Sequence, residues 1–176
     1  MQDDDALQRA GRVRLMLFDV DGVLTDGRLW YGPSGEELKV FSVLDGHGLK
    51  LLRESGVAVG ILSGRKSAAV AARAAELGIS EVLQGIDDKR AAFDALLVRA
   101  GLSAEAAGYM GDDVVDLAVL RACGFACAPR RAHALVLAHA HYVAQAPAGE
   151  GAAREVCDFL LRAQGKLESA LARYLA

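Results

Sequence analysis

The 176-residue chain has the length of one domain and is 53% apolar and 24% charged, which excludes disorder over most of it. A formal charge of -3 gives no general attraction to nucleic acid or to an anionic membrane, so any anionic ligand needs a local cationic pocket. Residues 1–10 carry Asp3, Asp4 and Asp5 where a leader would be basic and apolar, and no window is long enough to span a bilayer. A cytoplasmic protein with a flexible residue 1–10 segment is expected. Cys123, Cys127 and Cys157 have neither metal-like nor disulfide-framework spacing, and they read as buried free thiols.

Along the chain, short apolar runs alternate with helical patterns, the rhythm of parallel strands joined by crossover helices. Residues 14–18 (RLMLF) read as a buried first strand. Residues 29–40 break the rhythm: aromatic and β-branched residues flank Gly32-Pro33-Ser34-Gly35, which predicts a projecting β-hairpin. Further strands are expected at residues 57–62, 81–84, 107–110, 124–128 and 142–144. Helical composition covers 46–54, 66–77, 88–100, 114–122 and 131–138, several ending on a glycine. Residues 149–176 read as a helical tail of one or two helices. The expected fold class is α/β, a doubly wound Rossmann-like parallel sheet forming a single domain over residues 1–176.

Chemistry begins where the first strand ends. Asp19 and Asp21 follow an apolar strand directly, at the sheet edge where open α/β folds place ligands. Two carboxylates there repel unless a cation intervenes, and hard oxygen donors favour magnesium. With a metal present, Asp19 can stay ionised as a nucleophile while Asp21 exchanges a proton with the leaving oxygen. An acidic turn capped by Gly22 is the plainer alternative. Ser63 follows the second long strand, and its hydroxyl and the next amides can hold a phosphoryl oxygen at a helix start, although alone it reads as a helix cap. Lys89 opens a helix, where its charge opposes the helix dipole, so an anionic partner is expected. Asp112, Asp113 and Asp116 cluster after a later strand, and capping explains one of them, not three.

These four groups fall at the ends of strands of one sheet, the inventory that phosphoryl transfer requires. Asp19-x-Asp21-Gly22-Val23-x-Thr25, Ser63, Lys89 and Gly111-Asp112-Asp113-x-x-Asp116 together resemble the four motifs of the haloacid dehalogenase superfamily of phosphatases. That resemblance implies Asp19 as nucleophile, Asp21 as general acid and base, and Ser63 and Lys89 as phosphoryl-binding groups. It implies Mg2+ on the Asp19 and Asp112 carboxylates and the Asp21 backbone carbonyl. Asp113 and Asp116 would support that shell, through water or by fixing Lys89.

The chain has no room for the cap domain that most members insert, so neighbouring subunits are expected to cover the crevice. It resembles a small, capless, tetrameric branch of the superfamily acting on an eight-carbon sugar acid phosphate of lipopolysaccharide synthesis. The resemblance includes residues 35–39, Asp45-Gly46-x-Gly48, Ser63-Gly64-Arg65-Lys66 and residues 163–167. It implies substrate contacts from Ser42, Val43, Leu44, Asp45 and Gly46, and from Lys50, Gly64, Arg65, Arg73 and Lys89, beside Asp21. Charge logic agrees in part, because Lys50, Arg65 or Arg73 can pair with the substrate carboxylate. Arg73 also fits a solvated helix position. Some members of that branch carry Arg where Leu44 stands and a basic residue where Glu150 stands. His47 adjoins the substrate stretch, while His133, His139 and His141 read as surface residues with no zinc site. A phosphatase for a nine-carbon sugar acid phosphate is the nearest competitor. A receiver-type signalling domain would store the phosphoryl group, against which Asp21 argues.

Overall fold

The computed structural model describes residues 2–175, with side chains from Asp4 onward. Six parallel strands form the central sheet: β1 (Leu15–Phe18), β4 (Ala58–Leu62), β5 (Glu81–Leu83), β6 (Ala107–Met110), β7 (Phe125–Pro129) and β8 (Tyr142–Ala144), in the order β5-β4-β1-β6-β7-β8. The chain winds outward from β1 through β4 to β5, then returns to the other side of β1 at β6. The winding of the chain therefore reverses between β1 and β6, where doubly wound folds open a ligand crevice.

β1 is buried along its whole length because helices cover both faces of the sheet. Met16 and Phe18 join the core shared by α1 (Gln2–Arg12), α2 (Val43–Glu54), α3 (Ala68–Glu76) and α7 (Ala152–Ala163). Leu15 and Leu17 point the other way, into the core with α4 (Lys89–Ala100), α5 (Leu117–Leu120) and α6 (Ala134–His139). The alternation is the period-two geometry of a strand with two apolar faces.

The expected hairpin is present as β2 (Trp30–Tyr31) and β3 (Glu37–Leu38), an antiparallel pair separate from the main sheet. Gly32 N donates to Glu36 O at 2.8 Å, and Gly35 takes φ +82°, closing the turn. Only this hairpin stands between β1 and α2, and α3 alone links β4 to β5. Within the described residues nothing caps the sheet edge.

Several expectations are corrected. The expected flexible segment 1–10 is corrected over residues 2–10, Met1 lying outside the described residues: α1 runs through them, burying Ala6 and Ala10 and packing against α7 and β7. Asp4 and Asp5 in its first turn complement the helix dipole, and Arg9 donates both to Asp5 and to Gly124 O. Residues 114–122 form no continuous helix. The Asp116 carboxylate folds back onto the amides of Asp112 and Asp113, making a 3-10 turn at Val114–Asp116 before the short α5. α2 begins at Val43, earlier than expected, because Ser42 caps it with Oγ accepting from Asp45 N. The tail breaks into α7 and α8 (Leu167–Ala172) at Gly165, whose φ is +66°. The three cysteines are free and buried, as read from their spacing. No helix among the described residues is long and apolar enough to cross a membrane.

Candidate active site

Register brings the chemistry to one edge. Phe18 pairs with Ile61 on one side and Met110 on the other, so Asp19, Ser63 and Asp112 all emerge just past aligned strand ends. Asp19 N donates to Met110 O at 2.9 Å and Ser63 N to Leu83 O at 2.9 Å, which extends the ladder to the functional residues. Beyond Asp19 the chain turns tightly: the amides of Val23, Leu24 and Thr25 all donate to Val20 O. Gly22 sits in that turn at φ +87°, and a Cβ there would lie 2.0 Å from Asp112 Oδ2. Glycine lets the turn and the Asp112 carboxylate come together.

Asp19, Asp21, Ser63, Gly64, Arg65, Lys89 and Asp112 line one open crevice of about 490 Å3. Lys89 Nζ donates to Asp116 Oδ1 at 2.7 Å and lies 3.1 Å from Asp19 Oδ2. Burial alone would push the Lys89 pKa down, but the Asp19 and Asp116 carboxylates outweigh it and hold the ammonium above its usual value. Asp19 is pushed up to about 6, first by burial and then by the charge of Asp116. Asp112 is pushed up to about 7 by burial and by the Asp116, Asp19 and Asp113 carboxylates. Carboxylate oxygens of Asp19, Asp112 and Asp116 lie within 4.8 Å of one another. One lysine does not neutralise three such groups, and all the donors are hard oxygens, so the residues fit a divalent cation such as magnesium.

The stability consequence has a definite sign. Asp19 and Asp112 have folded-state pKa values above the ordinary 3.8, so their contribution is complete below that value. It is lost as pH rises through about 6 and about 7. Without metal, the protein is expected to melt at a lower temperature at pH 8 than at pH 5.5. Magnesium should raise the melting temperature more at pH 8, by on the order of 5 °C in a domain of this size. An increment that is equal at the two pH values would mean that these carboxylates do not receive the ion.

Asp116, one of the two acids left in a supporting role, fixes Lys89. It is fully buried, and Oδ1 also accepts from Tyr109 OH at 2.6 Å. Asp113 is exposed and caps the 3-10 turn, accepting from Val114 N at 2.7 Å. Tyr109 was not foreseen, because a tyrosine inside a buried strand reads as core packing. Lys39 was not foreseen either. It follows β3, its side chain is 1% exposed, and Nζ bonds Asp21 Oδ1.

The expected substrate-binding set divides. Gly64, Arg65 and Lys89 share the crevice with Asp19, Asp21 and Ser63, whereas Ser42, Val43, Leu44, Asp45, Gly46, Lys50 and Arg73 do not line it within one chain. The reason is local. Asp45 is buried and accepts from the amides of Gly151 and Arg154 at the start of α7. Arg73 donates to Ser42 O and Glu76, with its guanidinium packed on Gly46. Lys50 lies 3.9 Å from Glu54, and Val43 and Leu44 point into solvent. His47 Nε2 lies 2.9 Å from the hydroxyl of Tyr174 in the tail. His139 hydrogen-bonds Leu135 O and His141 accepts from Ala126 N, an arrangement with no zinc-like convergence among the described residues.

No family model matches the chain. A curated relative from Yersinia pestis, 3-deoxy-D-manno-octulosonate 8-phosphate phosphatase, is 45% identical over 167 residues, 95% of this chain and 89% of the relative. A solved structure of a probable YrbI family phosphatase from Pseudomonas syringae pv. phaseolica superposes with a TM-score of 0.96 at 48% identity, covering 98% of each chain. That of 3-deoxy-D-manno-octulosonate 8-phosphate phosphatase from Moraxella catarrhalis, in complex with magnesium ion, phosphate ion and KDO, superposes at 0.95 with 38% identity. It covers 97% of this chain and 98% of that one.

Proposed function

Because the chain belongs to the 3-deoxy-D-manno-octulosonate 8-phosphate phosphatase family of the haloacid dehalogenase superfamily, we infer that it hydrolyses that sugar acid phosphate to the free sugar acid and phosphate, with magnesium as cofactor. The observation that carries the mechanism is Lys89, buried between Asp19 and Asp116 on the crevice that Asp112 also lines. Asp19 attacks phosphorus in line and forms a phospho-aspartate, while Asp21 gives a proton to the departing sugar oxygen. Asp21 then takes a proton from the water that opens the acyl phosphate. Ser63, Gly64 and Lys89 hold the phosphoryl oxygens, and Arg65 stands ready for the second anionic group of the substrate. The Asp19 and Asp112 carboxylates and the Asp21 carbonyl would hold the magnesium ion, which supplies positive charge against the phosphoryl oxygens. The setting is lipopolysaccharide biosynthesis, and we place the protein in the cytoplasm, where that phosphorylated intermediate would be made.

The test is a panel of sugar acid phosphates ranked by kcat/KM, with and without chelator. The eight-carbon 3-deoxy acid should rank first and activity should vanish with chelator. A nine-carbon acid ranking first would move the substrate assignment, and neutral hexose phosphates ranking first would overturn it.

A homotetramer accounts for the divided substrate set. Trp30, Tyr31, Leu38, Val40, Val43 and Leu44 expose apolar surface around the hairpin and the start of α2. Neighbouring subunits covering the crevice would bury that surface and bring Ser42–Gly46 and Lys50 to a sugar held by another chain. Asp45 and Arg73 would then act by fixing the shape of that stretch. Trp30→Asp is expected to dissociate the assembly in sedimentation and to raise KM for the sugar acid phosphate at least tenfold, a loss of about 1.4 kcal/mol of binding. An intact tetramer with an unchanged KM would reject this arrangement.

A further inference from the structure

Asp21 meets its nearest cation from outside the sheet. Lys39 bonds Asp21 Oδ1 and lies 3.2 Å from Glu37 Oε1. Arg65 closes the ring, with Nη2 bonded to Glu37 Oε2 and Nε 3.7 Å from Asp21 Oδ2. Two acids and two bases thus alternate around a circuit that ties the hairpin to the turn after β1. Arg65 is half exposed, and a pair at such a site contributes little to stability. Lys39 differs: its side chain is 1% exposed, so its ammonium has exchanged water for these two carboxylates. Asp21 Oδ2 is buried with no hydrogen-bond partner. One oxygen of the carboxylate is therefore committed, and the other is left with its acceptor capacity unspent.

We propose that Lys39 is the positioning residue of Asp21, fixing the rotation of its carboxylate at the crevice, where it exchanges a proton with the leaving group. The proposal rests on the reading of Asp21 as proton donor. In the first step an Asp19 carboxylate oxygen bonds phosphorus as the sugar O–P bond breaks, the electron pair of that bond stays on the sugar oxygen, and that oxygen receives the Asp21 proton. In the second step a water O–H is broken, Asp21 recovers the proton, the water oxygen bonds phosphorus, and the Asp19 O–P bond breaks with its electron pair returning to the Asp19 carboxylate. Glu37 keeps the Lys39 ammonium over Asp21 and does not touch the substrate.

Leaving-group dependence tests this, because a proton donor matters when an alkoxide departs and matters little when a stable phenolate does. Lys39→Met keeps most of the length of the side chain and removes its charge. For the magnesium-loaded enzyme it is expected to lower kcat about 10^2-fold on the sugar acid phosphate. On p-nitrophenyl phosphate the loss should be less than about threefold, with partial recovery on the sugar ester in Lys39→Arg. Asp21→Asn is the reference. If it shows the split between esters and Lys39→Met lowers both rates equally, Lys39 is a structural residue and the proposal falls. If Asp21→Asn itself shows no split, the fault lies in the assignment of Asp21. Should Lys39→Met fail to melt cooperatively, Glu37→Gln carries the test: a smaller split of the same sign supports the ring, and equal losses overturn it.

Discussion

Asp19→Asn is expected to lower kcat by about 10^4-fold or more while leaving the fold intact, the scale on which removing a covalent nucleophile acts. Asparagine keeps the shape of the side chain but has no carboxylate oxygen to offer phosphorus. The same substitution should make the metal-free protein more stable at pH 8. Wild-type Asp19 is pushed up to about 6 by burial and by Asp116, so ionising it at pH 8 costs the folded state free energy that a neutral amide avoids. Lys89 keeps Asp116 as its partner at 2.7 Å, which limits the loss on the other side. The expected pattern is thus an inactive protein with a higher metal-free melting temperature and a smaller stabilisation by magnesium, a trade of stability for function. Substantial turnover in Asp19→Asn, measured as phosphate release, would remove Asp19 from the role of nucleophile. A lower metal-free melting temperature would show that the Lys89 contact outweighs the repulsion.

The sheet edge could be read from the sequence because parallel strands covered on both faces are continuous apolar runs, and the first polar residue after each run marks its end. Asp19 after residues 15–18, Ser63 after 58–62 and Asp112 after 107–110 all follow that logic, and the crevice gathers them. What could not be read is which partner a buried charge finds. Lys39 and Asp21 are 18 residues apart, and nothing in the local pattern of a two-residue strand says that its flanking lysine turns inward. Asp45 is the reverse case: it stands in a stretch that resembles substrate-binding sequence, yet its carboxylate turns to the start of α7, over 100 residues away. The N-terminal helix escaped for another reason. Its contact face is mainly Ala6 and Ala10, too small to stand out from an acidic, polar segment.

Asp116→Asn is expected to be the more damaging change for the fold. The Asp116 carboxylate is fully buried and accepts from Lys89 Nζ, Tyr109 OH, Asp112 N and Asp113 N. All of these partners donate, so an amide group in either orientation turns its own N–H toward a donor. Losing the Asp116 charge also relieves Asp19 and Asp112, whose pKa values it helps to raise. That relief is the smaller effect, because burial is the first cause of both shifts and burial is unchanged. Breaking the buried pair should cost about 3 kcal/mol, read as a melting temperature lower by roughly 6–12 °C. With Lys89 held by Asp19 and the Tyr109 hydroxyl only, its ammonium is free to shift by a fraction of an ångström, and kcat should fall about 10^2-fold with KM less affected. Tyr109→Phe separates the two contributions: it removes the hydroxyl that donates to Asp116 Oδ1 at 2.6 Å and accepts from Lys89 Nζ at 3.2 Å but leaves the ion pair, and should cost about 1 kcal/mol. If Tyr109→Phe lowered kcat as much as Asp116→Asn, the phenol, and not the ion pair, would be what holds Lys89 in place.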